Sequence, residues 1–231
     1  MNATSPSALG SLGNIFFEPK RTLNDIRGHN SWLWYPLLIG IVGFTAYTLW
    51  YYLTVDFSWM VDQMLASLPP EKAQAARGTM SRGFYVGISA VGIPIVVLVL
   101  NAVQALYFFF VSKVSGYEEQ GFASWFSFVC WTGFPAILGL AASCVMYLFS
   151  SKQVMSTSLD VTSINTLLFH APMGSTWFAL LSGIHLTTFW SLWLMVIGFS
   201  QWTKQPTGKA TVIVLAPYVV IYGLWILIKL I

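Results

Sequence analysis

The chain has 231 residues, of which 56% are hydrophobic, 16% aromatic and only 8% charged, with a formal net charge of +3 and a mean hydropathy of +0.69. An ordinary soluble domain carries about 25% charged residues, and this much apolar surface leaves too little polar surface to cover a water-soluble fold of this length. The scattered positive charge forms no clustered basic face, which argues against a nucleic-acid partner.

Five apolar stretches, residues 33–55, 84–112, 123–150, 177–200 and 210–228, contain no Asp, Glu, Lys or Arg. A hydrocarbon core about 30 Å thick needs about 20 helical residues to cross it. The predicted fold class is therefore all-α: a polytopic membrane bundle of five transmembrane helices with short interfacial amphipathic helices. Its organisation is expected to be an N-terminal cytoplasmic or interfacial segment, 1–31, and a transmembrane domain, 32–231. No cleavable signal peptide is expected, because the first span is too long for a signal h-region.

At the N-terminus, residues 5–13 are rich in Ser, Gly and Ala and read as loose chain. Ile15, Phe16, Phe17, Leu23 and Ile26 then interleave with Lys20, Arg21 and Arg27, and Pro19 can open a short helix. This segment either lies in the headgroup region, basic side toward anionic lipid, or packs across the mouth of the bundle. In the first long loop Phe57, Met60, Val61, Met64, Leu65 and Leu68 fall on one helical face, stopped by Pro69-Pro70. It reads as an interfacial or bundle-capping helix, or as a partner-binding ridge. A second short helix follows over 71–77. The Ser/Thr-rich loop 151–176 carries Ile164, Leu167 and Leu168 as one further turn, ended by His170-Ala-Pro.

Pro94 and Pro135 lie deep in their spans and are expected to bend them. Gly83/Gly87 and Gly139/Ser143 have the small-xxx-small spacing that permits close helix approach. Cys130 and Cys144 are separated by about 21 Å of helix, too far for a disulfide, and read as small buried apolar residues. With the N-terminus inside, six Lys/Arg fall on the inner side and five on the outer, weakly favouring N-in, C-out.

Polar side chains within spans are where a membrane protein's chemistry is sought. Asn101 and Gln104 share a face of the second span, and Ser182, His185 and Thr188 form a polar row on the fourth. These five either line a polar cavity for a headgroup or small solute, or act as interhelical hydrogen-bond glue. His185 has no partner carboxylate within the spans, so it makes a poor proton relay. No span carries Asp or Glu, and no hydrolase elbow, zinc-binding helix or phosphate loop is present. Catalytic residues, metal ligands and cofactors are accordingly not expected.

Three ordered stretches carry a resemblance. They are Ile15-Phe-Phe-Glu-Pro-Lys20 with Trp32 and Tyr35-Pro36, then Gly116-Tyr-Glu-Glu-Gln-Gly-Phe122 leading to Trp131-Thr-Gly-Phe-Pro135, and last Phe189-Trp190-Ser-Leu-Trp193 with Ile197-Gly198 and Lys209-Ala210. Together they resemble the Yip family (the Ypt-interacting, Yip-one-type domain) over nearly the whole chain. That resemblance implies a five-helix membrane bundle with a cytoplasmic N-terminus, membrane-traffic functions and association with itself or related membrane proteins. It links eukaryotic members to Rab-type GTPases through a longer N-terminal region than the thirty or so residues here, so such a partner is not expected. The chain is most similar to compact prokaryotic members, which implies a bacterial inner membrane. The expected function is non-enzymatic: membrane organisation through interfacial segments in contact with lipid. The alternative is a small permease or lipid/solute-binding protein.

Overall fold

The structure, a computed structural model, describes residues 7–66, 68–117 and 120–230. Twelve α-helices occur among these residues: α1 Ala8–Phe17, α2 Pro19–Arg27, α3 Trp34–Thr54, α4 Phe57–Leu65, α5 Pro70–Arg77, α6 Arg82–Val114, α7 Phe122–Gly133, α8 Ala136–Phe149, α9 Ser156–Leu159, α10 Phe178–Ser182, α11 Leu186–Thr203 and α12 Thr207–Leu230. No strand occurs among them. The all-α membrane fold is as the hydropathy demands.

Four helical stretches have the length and apolarity to cross a membrane: Asn30–Thr54, Arg82–Val114, Phe122–Phe149 and Thr207–Leu230. The most apolar window of α6 contains no buried residue, and Val91 and Leu100 are each 63% exposed. Such a surface needs hydrocarbon around it.

The expected fourth span, 177–200, is not one helix. It stops at Ser182 and resumes at Leu186. The intervening backbone pairs sideways: Ile164 N–H donates to Ile184 O (2.9 Å) and Leu186 N–H to Thr162 O (2.8 Å), around an antiparallel bridge between Ser163 and His185. The broken ladder is thus satisfied by another segment rather than left open to lipid. Pro135 has the effect expected of a residue without an N–H, separating α7 from α8, whereas α6 continues through Pro94.

The chain forms two compact units, one of residues 1–40, 98–136 and 187–231, the other of residues 41–97 and 137–186. The first has an aromatic core. Phe108, Trp125, Phe128, Phe199 and Trp202 are all essentially buried, with ring centroids 5.0–5.6 Å apart. Both indoles are satisfied, Trp125 Nε1 donating to Ser112 Oγ (3.1 Å) and Trp202 Nε1 to Leu23 O (2.8 Å). Ile15, Leu23 and Ile26 of α1 and α2 are 0% exposed in the same core.

The expectation of loose chain over 5–13 is corrected from residue 8 onward. Ser7 caps α1 by accepting from Gly10 N–H (3.1 Å), and Ser11 and Ile15 face inward. Ser5 and Pro6 lie outside the described residues.

The second unit is centred on Tyr51, Val55, Met60, Val61, Leu65, Tyr147 and Leu159. Asp56 caps α4 through Trp59 N–H (3.1 Å) and takes Gln153 Nε2 on its other oxygen (2.9 Å). The bonds from Gln153, Trp59 and Ser58 hold the Asp56 carboxyl below the usual range. Arg82 donates to the carbonyls of Leu53 and Val55 at the end of α3. The expected short helices over 57–68 and 71–77 appear as α4 and α5, α4 ending at Leu65; Ser67 lies outside the described residues.

A Cβ at Gly198 would fall 2.4 Å from Phe128 Cε2 and 3.2 Å from Leu23 Cδ1, whereas one at Gly83 or Gly87 would meet nothing within 4 Å. Gly198→Ala should therefore destabilise the detergent-solubilised protein by about 1–3 kcal/mol through overpacking. Gly83→Ala and Gly87→Ala should stay within about 0.5 kcal/mol of wild type. Thermal unfolding followed by near-UV circular dichroism checks both.

Candidate functional site

The five polar residues of the spans divide between the two units. Asn101, Gln104 and Thr188 belong to the first, Ser182 and His185 to the second. In the first unit, Gln104 of α6 reaches both α11 and α12: its Nε2 donates to Tyr218 Oη and lies 3.6 Å from Met195 Sδ. One helical turn on, Tyr107 Oη donates to Ile213 O at 2.7 Å. These bonds tie three helices together where water is absent, and each is worth roughly 0.6 kcal/mol on average. Asn101 and Thr188 are half-buried.

The polar row expected on the fourth span is not a row. Ser182 ends α10, His185 sits in the break, and Thr188 lies within α11. Helical spacing cannot align residues across a break in the helix. The expectation that His185 lacks a carboxylate is also corrected. Its Nδ1 lies 3.0 Å from Asp160 Oδ2, with the two side chains 35% and 30% exposed. The other Asp160 oxygen accepts from Thr162 N–H (3.1 Å) and Thr162 Oγ1 (2.8 Å). Burial opposes ionisation of Asp160, but the bonds from His185 and Thr162 outweigh it and hold the carboxyl below its usual range.

Asp160 escapes a sequence reading because it lies in a Ser/Thr-rich loop 25 positions before His185, at no helical spacing. The only local signal is Asp160-x-Thr162, an Asp able to bond its own backbone two residues on. The remainder of this loop is built the same way. Asn165 accepts from Ala171 N–H (2.9 Å) and donates to Ala171 O (3.2 Å), closing a wide helical turn over Asn165–Phe169. His170 follows in the left-handed conformation at φ 51°.

The predicted interfacial residues fall in both classes of environment. Phe16 packs edge-on to Trp190 at 5.6 Å, while Phe17 is 85% exposed and Lys20 and Arg21 are exposed beside it. Arg21 pairs with Glu18 (3.0 Å). Arg27 is half-buried and, with the Gln120 amide oxygen turned toward it, donates from Nη2 (2.8 Å) and Nε (3.2 Å). On α4, Met60 is buried, and Phe57 and Met64 pack against the second unit's core. At the turn after α6, Gly116 adopts φ 64°, and the Lys209 ammonium beside Tyr117 lowers its phenol from the ordinary range. Glu118 and Glu119 of the second resemblance motif lie outside the described residues. Among the described residues, no three His, Cys, Asp or Glu side chains converge in a way that could hold a metal ion, and Cys130 and Cys144 are free thiols.

Long apolar helical stretches whose charged residues stand only at their ends define an all-α integral membrane protein. More particularly, the chain belongs to the Yip1 domain family, whose model matches residues 13–228. The match takes in the end of α1 and all of α2, so this packed segment is part of the family domain. Comparison with curated proteins gives no match, and neither does comparison with solved structures.

Folding lowers the Asp160 pKa, so the pair's stabilisation is complete above the ordinary carboxylate value of about 3.9 and is lost as pH falls through the folded-state value. Asp160→Asn should melt earlier than wild type at neutral pH, and the gap between the two midpoints should narrow as pH falls below the ordinary carboxylate range. Thermal unfolding in detergent across this range provides the check.

Proposed function

We propose that this Yip-family protein is a non-enzymatic membrane organiser, which associates with itself or with other membrane proteins and acts on lipid through its surface segments. The observation that carries this reading is the anchored N-terminal pair α1–α2. Ile15, Leu23 and Ile26 are fixed at 0% exposure in the core, and the Trp202 indole grips the Leu23 carbonyl. Phe17 and Lys20 are thereby presented on rigid helices as an apolar residue beside a cation, with Arg21 next to them paired to Glu18. That is the chemistry of an element seated at an anionic headgroup layer.

In this reading the N-terminus is cytoplasmic, residues 1–31 form an interfacial segment ahead of the transmembrane domain, the 18-residue α11 crosses together with the four long apolar stretches, and the membrane is a bacterial inner membrane. Gln104 and Asn101 serve packing; the engagement of Gln104 with Tyr218 and Met195 supports this over a solute cavity.

The test uses full-length protein reconstituted into giant vesicles containing anionic lipid, from which thin tubes are pulled. Wild type should enrich in the curved tube, and the Phe17→Ser, Lys20→Gln, Arg21→Gln triple variant should lose most of that enrichment. Equal distribution of both proteins between tube and vesicle would sink the proposal. Separately, a cysteine at Gly13 should be labelled only from the cytoplasmic side, and one at Lys229 only from outside.

A further inference from the structure

Within the second unit, α3 and α8 approach closely at one level and part at the next. Gly43 makes the approach possible: a Cβ there would lie 2.9 Å from Leu140 Cδ2. Beside this contact an open groove of about 400 Å³ is lined by Gly43, Ala46, Tyr47 and Trp50 of α3 and by Ala141 and Cys144 of α8. Its volume is that of a small-molecule site, and small residues on both helices create it. The lining residues from Gly43 to Trp50 span two turns of α3, about 10 Å along the axis. The two helices belong to membrane-crossing stretches, so the medium facing the groove is hydrocarbon rather than water.

A cation lies two ring contacts from Trp50, one of the residues that line the groove. The Trp50 ring meets Tyr147 at 4.8 Å, and the Lys152 ammonium lies 4.6 Å from the centre of the Tyr147 ring. Lys152 is exposed and has no carboxylate partner among the described residues. The neighbouring Asp56 carboxylate is turned to Gln153, Trp59 and Ser58 instead. Trp50, Tyr51, Tyr52 and Tyr147 cluster at this level as an aromatic belt does at the membrane–water boundary. A lysine there sits at phosphate height.

We propose that this groove is a phospholipid site: one acyl chain lies along Gly43, Ala46 and Ala141, and the phosphate of an anionic headgroup pairs with Lys152. The chain fills a concavity whose walls otherwise lack contact partners on one side. The lysine supplies the preference for net negative charge. An ordinary boundary lipid would sample this surface no more than any other apolar face. Here shape and charge act on the same molecule.

The full-length protein is reconstituted into phosphatidylcholine vesicles doped with phosphatidylglycerol bearing a diazirine in one acyl chain. It is then irradiated, and adducts are mapped by peptide mass spectrometry. Adducts should concentrate in 43–50 and 137–144, several-fold above the exposed α6 stretch 88–99. Ala46→Leu and Ala141→Leu, which fill the groove, should reduce them several-fold while wild-type near-UV circular dichroism is retained. Lys152→Gln, on an exposed loop where folding is not at stake, should keep labelling from a phosphatidylcholine probe of the same chain but lose the excess seen with phosphatidylglycerol.

Adducts spread evenly over the apolar surface would overturn the proposal. So would leucine variants that label like wild type, or a phosphatidylglycerol excess that survives Lys152→Gln. Crosslinks between two protein copies through Cys144, with no lipid adduct in the groove, would overturn it in favour of a second copy as the occupant.

Discussion

A peptide group in hydrocarbon has no water to fall back on, so every N–H and C=O must find a partner within the protein. This constraint accounts for the helices and, more tellingly, for the way the chain leaves them. Where the expected fourth span breaks after Ser182, the backbone on either side of His185 is taken up by Thr162 and Ile164. Where α3 ends, the guanidinium of Arg82 covers the carbonyls of Leu53 and Val55. Where α4 begins, Asp56 supplies the acceptor that its first turn requires. Arg82 and Asp56, two of the charges at the edges of the apolar stretches, are therefore set where backbone groups would otherwise be left open.

The same accounting explains why tryptophan rather than phenylalanine stands at two positions of the first unit's core. An indole fills as much space as any side chain, but it brings an N–H that must be satisfied when buried. Trp125 spends that donor on Ser112, and Trp202 spends it on the Leu23 carbonyl. The second bond joins residues 179 positions apart, so it fixes the N-terminal helices to the core in one register. Apolar contact by Leu23 and Ile26 supplies the burial; the indole specifies which turn of α2 is buried. Trp131 is a different case. Its Nε1 is buried with no hydrogen-bond partner among the described residues, and its ring is held by packing alone.

The apolar runs and the period of the amphipathic stripes carry most of the helical architecture in the sequence itself. The stripe from Phe57, the Pro-led turns at α2 and α5, and the break at Pro135 are all local signals with local causes. The break in the fourth span leaves no trace in composition, which remains apolar through Gly183–His185. What ends the helix there is a partner segment more than 15 residues upstream, invisible to any window on the span. Asp160 was missed for the same reason: a lone carboxylate in a polar loop looks solvated until the fold brings an imidazole to it. Residues 8–13 were misread from composition, since Ser and Gly disfavour an isolated helix, and it is burial of Ser11 and Ile15 that forms one.

Glycine shows the limit of pattern reading most clearly. Gly83 and Gly87 have the spacing associated with close helix approach, and among the described residues nothing lies within 4 Å of a Cβ placed at either. Gly43 and Gly198 belong to no such pair in the sequence reading, yet each sits where a side chain of another helix fills the space a Cβ would take. The difference lies in what faces the residue. A glycine on a surface bathed in lipid gains little by being small, whereas one opposite Phe128 or Leu140 sets how near two elements can come. In a membrane, where burial of apolar surface gives helices little reason to associate, that distance of approach decides how many contacts form. The small residues of the interior therefore contribute to stability through the partners they admit.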